Sequence, residues 1–161
     1  MNAVDLLIDQ HHQIESRMRQ LLAAEQRAER AKLFTRVGDH LTVHIASEEQ
    51  VFYPAVKAAR TEDVLLESLE EHLSLKRLLA DLVAMNADDE TFEPKFEVLR
   101  EQTEHHHREE EDDLFPKVRR MLDERRLGAL GDEMLALQKS LRRAGDPRET
   151  VVDETDRAAP L

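Results

Sequence analysis

The stretch HIASEEQVFYP, residues 44–54, returns 62 residues later as HHREEEDDLFP, residues 106–116. Both copies fit His-x3-Glu-Glu-x3-aromatic-Pro, and the same offset pairs Phe34 with Phe96 and Val56 with Val118. Ahead of each copy, a shift of 61 lays His11 on His72, Ile8 on Leu69, Ile14 on Leu75, Met18 on Leu79 and Leu21 on Leu82. An internal repeat of this length is a repeated supersecondary unit. The unit is a helix bearing one His followed by a helix bearing His-x3-Glu, used twice.

The helical reading rests on spacing. Apolar residues recur at three- and four-residue steps through Val4, Leu7, Ile14 and Met18, through Leu33, Val37, Leu41 and Val51, through Leu65, Leu69, Leu75 and Leu79, and through Phe96, Leu99, Leu114 and Val118. No sustained alternation suggests a strand. Breaks fall near Glu25–Ala31, Ala59–Asp63 and Asn86–Glu93; short breaks make neighbouring helices antiparallel. Asp and Thr residues just before Phe92 offer N-caps, and Pro94 suits a first turn. The expectation is all-α: an up-down-up-down four-helix bundle over residues 1–125. A short fifth helix within 126–144 is set off from the fourth by Gly128 and Gly131, and residues 145–161 form a mobile tail. Pro54 and Pro116 are expected to bend or end their helices, with Tyr53 and Phe115 as bundle plugs.

Charge and composition narrow the function. With Lys plus Arg at 23 against Asp plus Glu at 35, the net charge of −12 argues against nucleic acid and anionic lipid as partners. There is no Cys, which removes thiolate catalysis, disulfides and sulfur-ligated metals. No segment resembles a signal peptide or a membrane span, so the expected setting is cytoplasmic.

Residues four apart share a helix face, so His44 with Glu48, and His106 with Glu110, project the same way from the buried stripes. His11, between Leu7 and Ile14, and His72, between Leu69 and Leu75, point inward too. Four imidazoles and two carboxylates would meet in one interior, where an unpaired carboxylate is costly and metal coordination is the usual remedy. Nitrogen and oxygen donors without sulfur suit iron, manganese or zinc. Two bridging glutamates with two imidazoles per side would hold two ions, an oxo or hydroxo bridge balancing the charge. Glu49 and Glu111 point about 100° away from the ligand carboxylates and read as solvated or outer-sphere groups. In the tract His105–His106–His107 only His106 is in register with His44, leaving the other two at the surface or in the outer sphere.

These features resemble the hemerythrin-like (HHE cation-binding) domain family over about residues 1–125: His11, the His44 and His106 motifs with their Tyr-Pro and Phe-Pro ends, and Glu71-His72. The resemblance implies a four-helix bundle around a non-haem di-iron centre, with His11, His44, Glu48, His72, His106 and Glu110 as ligands. The oxygen carriers that this pattern resembles have a fifth His one turn after the third-helix ligand, where this chain has Lys76, with Glu15 as its symmetry mate. That departure weakens reversible oxygen carriage, and Glu15 offers an oxygen donor that would favour turnover. His12 is an alternative to His11, and His40 is a further ligand, an outer donor or simply a partly exposed histidine. The expected function is therefore handling of dioxygen, peroxide or nitric oxide at two irons, with catalase-like dismutation of peroxide the simplest reaction. The alternative is an iron or oxygen sensor, or an iron or nitric oxide store. A homo-oligomer is left open.

Overall fold

The computed structural model describes residues 1–161, and it is helical almost throughout. Helix α1 (Ala3–Ala23) is capped by Asn2, whose side chain accepts from the Asp5 N–H at 2.9 Å. Helix α2 (Arg27–Ser47) runs through a π-helical turn (Glu48–Phe52) into α3 (Tyr53–Val56). After α4 (Glu62–Val83), the pattern repeats: α5 (Phe92–Glu109), a second π-turn (Glu110–Leu114) and α6 (Phe115–Met121). Helix α7 (Glu124–Ala144) and a 3-10 helix (Pro147–Glu154) complete the chain. The four long rods form the up-down-up-down bundle, with α1 against α2 and α5, and α4 against α5.

The interior has three layers. Leu7, Phe52, Leu69, Phe115 and their neighbours fill one end. Ile14, Phe34, Leu41, Leu75, Phe96 and Leu99 fill the other. Between them, His11 and His72 stand one turn from the apolar residues on either side and are fully buried. Two apolar caps thus exclude water from a polar middle layer, which is what makes uncompensated charge there expensive.

Three expectations change. First, Pro54 and Pro116 do not end their helices. In each copy the helix widens instead, and the N–H of Tyr53 bonds the carbonyl of Glu48 while that of Phe115 bonds the carbonyl of Glu110. A proline lacks an N–H and its ring collides with the carbonyl four residues back; an i→i−5 turn just upstream moves that carbonyl aside. Second, the fifth helix is 21 residues long and contains both glycines. Its start is set by Asp123, whose side chain caps the Arg126 N–H at 2.8 Å. Gly131 serves contact rather than a turn: a Cβ there would lie 2.2 Å from the carbonyl oxygen of Met1. Gly131→Ala is expected to cost about 1–3 kcal/mol through that overlap, measured as a fall in the urea midpoint with an unchanged slope.

Third, residues 145–161, expected as a mobile tail, lie packed along the bundle. The 3-10 segment lies against both α2 and α4, burying Pro147 and Val151. Arg148 bonds the Asp39 carboxylate at 3.1 Å, and Arg77 donates to the Thr155 carbonyl at 2.9 Å. One buried valine has no periodicity to read, which is why the segment looks featureless as sequence. No helix is long and apolar enough to cross a membrane.

Candidate metal centre

Five imidazoles converge in the middle layer: His11 from α1, His44 from α2, His72 from α4, and His106 with His107 from α5. All turn Nε2 inward, and all but His11 hydrogen-bond Nδ1 to an outer acceptor. His44 Nδ1 lies 2.9 Å from Gln10 Oε1, His72 Nδ1 2.9 Å from Glu49 Oε2, and His106 Nδ1 2.8 Å from Glu71 Oε1. His107 Nδ1 lies 3.1 Å from Glu15 Oε2, and His11 Nδ1 3.5 Å from Glu111 Oε2. An imidazole whose Nδ1–H is spent on an outer acceptor presents its Nε2 lone pair to the interior, the arrangement of metal-bound histidines.

The two glutamates lie between the rings. Glu48 Oε1 stands 3.3 Å from both His44 Nε2 and His72 Nε2; Glu110 Oε1 stands 3.3 Å from His11 Nε2 and 3.4 Å from His106 Nε2. The donors fall into two overlapping groups, His11, His44 and His107 on one side and His72 and His106 on the other, with both carboxylates reaching each side. Tyr53 completes the second side: its Oη donates to Glu110 Oε2 at 2.8 Å and lies 3.3 Å from His72 Nε2.

The residues fit a pair of cations. Both ring nitrogens of His11, His44 Nε2, His107 Nε2, both oxygens of Glu48 and Oε1 of Glu110 are buried without a hydrogen-bond partner, an unusual concentration of unsatisfied groups that bound cations would relieve. Burial and the neighbouring Glu110 charge push the Glu48 carboxyl well up. For Glu110, burial acts in the same direction, but His106 and His11 outweigh it and hold the carboxyl well down. The two carboxyls are thus driven in opposite directions, Glu48 toward its protonated form and Glu110 toward its charged one. His44 and His107 are driven well down by burial and by neighbouring rings, keeping them neutral.

The structure brings together His11, His44, Glu48, His72, His106 and Glu110, and adds two residues. His107, assigned to the surface or outer sphere by register, is 1% exposed and faces in. Helix α5 packs against both α1 and α4, so its buried arc is wide enough to take adjacent residues. The usable signal was the four-residue step from buried Thr103 to His107. Tyr53 is more than an apolar plug. In the π-turn, residues five apart come into line, which sets Tyr53 over Glu48 where α-helical spacing would have set Val51 or Phe52. Phe115, its counterpart, stays a wall, its ring 5.7 Å from that of His11.

The remaining candidates lie outside the inner set. His12 is exposed at the surface of α1. His40 is buried on Arg17, whose Nη1 donates to its Nδ1 at 2.9 Å; burial and that guanidinium lower its pKa to about 4. Glu15 supports His107 and adds no inner oxygen. Lys76 reaches Glu49 Oε1 at 2.8 Å and Glu154 Oε1 at 3.1 Å, tying the 3-10 segment to the acceptor of His72. His105 is exposed, with Glu109 at 3.1 Å.

A bundle with imidazoles and carboxylates turned onto one dry interior defines a cation-binding helical protein. The chain belongs to the hemerythrin HHE cation-binding domain family, whose model matches residues 2–118. Among solved structures it is similar to a hemerythrin HHE cation-binding domain-containing protein from Mycobacterium kansasii. The likeness is 24% identity over 89% of each chain with a TM-score of 0.76, and it bears on the fold. No curated protein matches the sequence significantly. The matched region ends within α6, so α7 and the 3-10 segment lie beyond it.

Proposed function

We propose that the chain binds two iron ions in the middle layer and acts on peroxide, with dioxygen or nitric oxide as further ligands of the same centre. The observation that carries this is the shared polarity of four buried imidazoles, His44, His72, His106 and His107, each with Nδ1 on an outer acceptor and Nε2 turned to the interior, with the buried His11 ring beside them. His11, His44 and His107 would hold one ion and His72 and His106 the other, Glu48 and Glu110 serving both. Manganese and zinc satisfy the same donor set. Bound iron would supply Lewis acidity, two electrons to the peroxide that is cleaved to water, and a place for the two electrons released by the peroxide that is oxidised to dioxygen.

The protein's own contribution is orientation, dryness and a proton. The apolar clusters on either side keep bulk water out. Tyr53 Oη holds a proton within reach of the second side, and burial with the Glu110 and Glu48 charges raises its pKa well above the ordinary phenol value, so the proton stays in place at neutral pH. Tyr53→Phe is expected to keep the full metal content while lowering dismutation by roughly 10²-fold, the usual loss with one positioned acid, followed as oxygen release from peroxide.

The primary test is metal analysis of anaerobically purified protein with its near-ultraviolet and visible spectrum, followed by peroxide addition in an oxygen electrode. Two irons per chain and oxygen release above that of free iron support the proposal; iron without release leaves binding and removes the enzyme. Sensing or storage draws on one observation, the Glu154–Lys76–Glu49–His72 chain linking the centre to the surface. Metal-dependent protease sensitivity near Glu154 would favour it.

A further inference from the structure

Around the four histidines that the duplication relates, the outer groups obey it with one telling exception. Glu71, just before His72, accepts from His106; Gln10, just before His11, accepts from His44. The positions are symmetry mates, but one is a carboxylate and the other an amide. A carboxylate offers an oxygen whichever way it turns. An amide flipped by 180° would present its NH2 to His44 Nδ1, which would then have to be the bare nitrogen, leaving the proton on Nε2 where the ligand lone pair is required.

Gln138 of α7 removes that freedom. Its Oε1 accepts from Gln10 Nε2 at 2.8 Å, and its Nε2 donates to Gln10 Oε1 at 3.1 Å, a closed amide pair. The second Gln138 N–H donates to Ser47 Oγ at 2.9 Å, and the Ser47 hydroxyl proton is already spent on the His44 carbonyl at 2.8 Å. Each donor in the circuit is assigned: Ser47 orients Gln138, Gln138 orients Gln10, and Gln10 Oε1 accepts from His44 Nδ1. The pair is dry, with Gln10 6% and Gln138 5% exposed, so water cannot substitute.

We propose that Gln138 is a positioning residue of the metal centre, fixing through Gln10 the tautomer in which His44 presents Nε2 to a cation. It rests on the two-metal reading above, and it makes α7, beyond the family match, a working part of the site. The companion half needs no such helper because Glu71 cannot be misoriented.

The test uses the metal-free full chain with 15N-labelled histidine, and cobalt(II) as the probe. In the wild type, NMR is expected to show His44 protonated at Nδ1 and bare at Nε2. Gln138→Leu is expected to shift His44 toward the Nε2-protonated form and to weaken one of two cobalt-binding steps about 10- to 100-fold, the other changing by less than about twofold. Adding Gln10→Glu to Gln138→Leu supplies the carboxylate of the other half and is expected to restore both the tautomer and the affinity. An unchanged His44 tautomer in Gln138→Leu, equal weakening of both steps, or no recovery in the double variant would overturn the proposal. A wild type with the expected tautomer that takes up no cobalt would instead overturn the metal reading, and the positioning role with it.

Discussion

Replacing His44 and His106 together by Leu is expected to reduce metal content at least about tenfold while leaving the bundle folded. Each side loses an Nε2 donor, and each glutamate loses one of the two rings it touches. Removing ligands from a folded protein usually destabilises it, but here the metal-free core is already paying for its polar layer. His44 Nε2 has no partner, and Gln10 keeps Gln138 when His44 is gone. Glu71, left by His106, is partly exposed and can be hydrated. Glu110, by contrast, loses the ring that chiefly holds its carboxyl down, so the metal-free variant should unfold about 1–3 kcal/mol below the metal-free wild type. Metal analysis and urea unfolding check the two halves; unchanged metal content would remove these histidines from the ligand set.

Loading the wild type is expected to raise stability by about 4 kcal/mol per site when free metal exceeds the dissociation constant a thousandfold. The gain comes from what the cations would satisfy, two buried glutamates and several unpaired ring nitrogens. The gain should grow with pH. His11 and His106 are desolvated by burial, yet Glu110 and the neighbouring carboxylates more than compensate and raise both above the ordinary value of 6.5. Their protonation thus stabilises the metal-free fold below the unfolded value and ceases to do so as pH rises through the folded values. A cation must displace those protons, so the metal-induced shift in urea midpoint should be larger at pH 8 than at pH 6. An equal shift at both would mean that those rings are not ligands.

The six side chains legible in the sequence share one property: their direction follows from α-helical spacing alone. His44 with Glu48 and His106 with Glu110 needed only the four-residue rule, and the repeat related the two pairs. What escaped depends on departures from that spacing or on packing. Tyr53 enters because of a π-turn just before Pro54, and a proline in the sequence predicts a bend or an end without saying that the turn widens. His107 enters because α5 has two inward neighbours. Glu49 and Glu111 face away from the inner set as their spacing implies, yet that Glu49 receives His72 and Glu111 lies beside His11 requires knowing which helices adjoin. Gln138 and Glu154 lie outside the repeat, and nothing in the pattern of α7 or the last residues points at a histidine.

The repeat is faithful in backbone and unfaithful at two inward positions. The counterpart of His107 is Ile45, and the counterpart of Tyr53 is Phe115. A pair of separate, identical hairpins would offer equal berths, since any change in one would appear in the other. Joining them in one polypeptide released each half to drift alone, and the outcome is a nitrogen-rich berth beside a phenol-bearing one. Occupants of unequal berths differ in redox potential and in ease of departure, so the pair would empty in sequence rather than together.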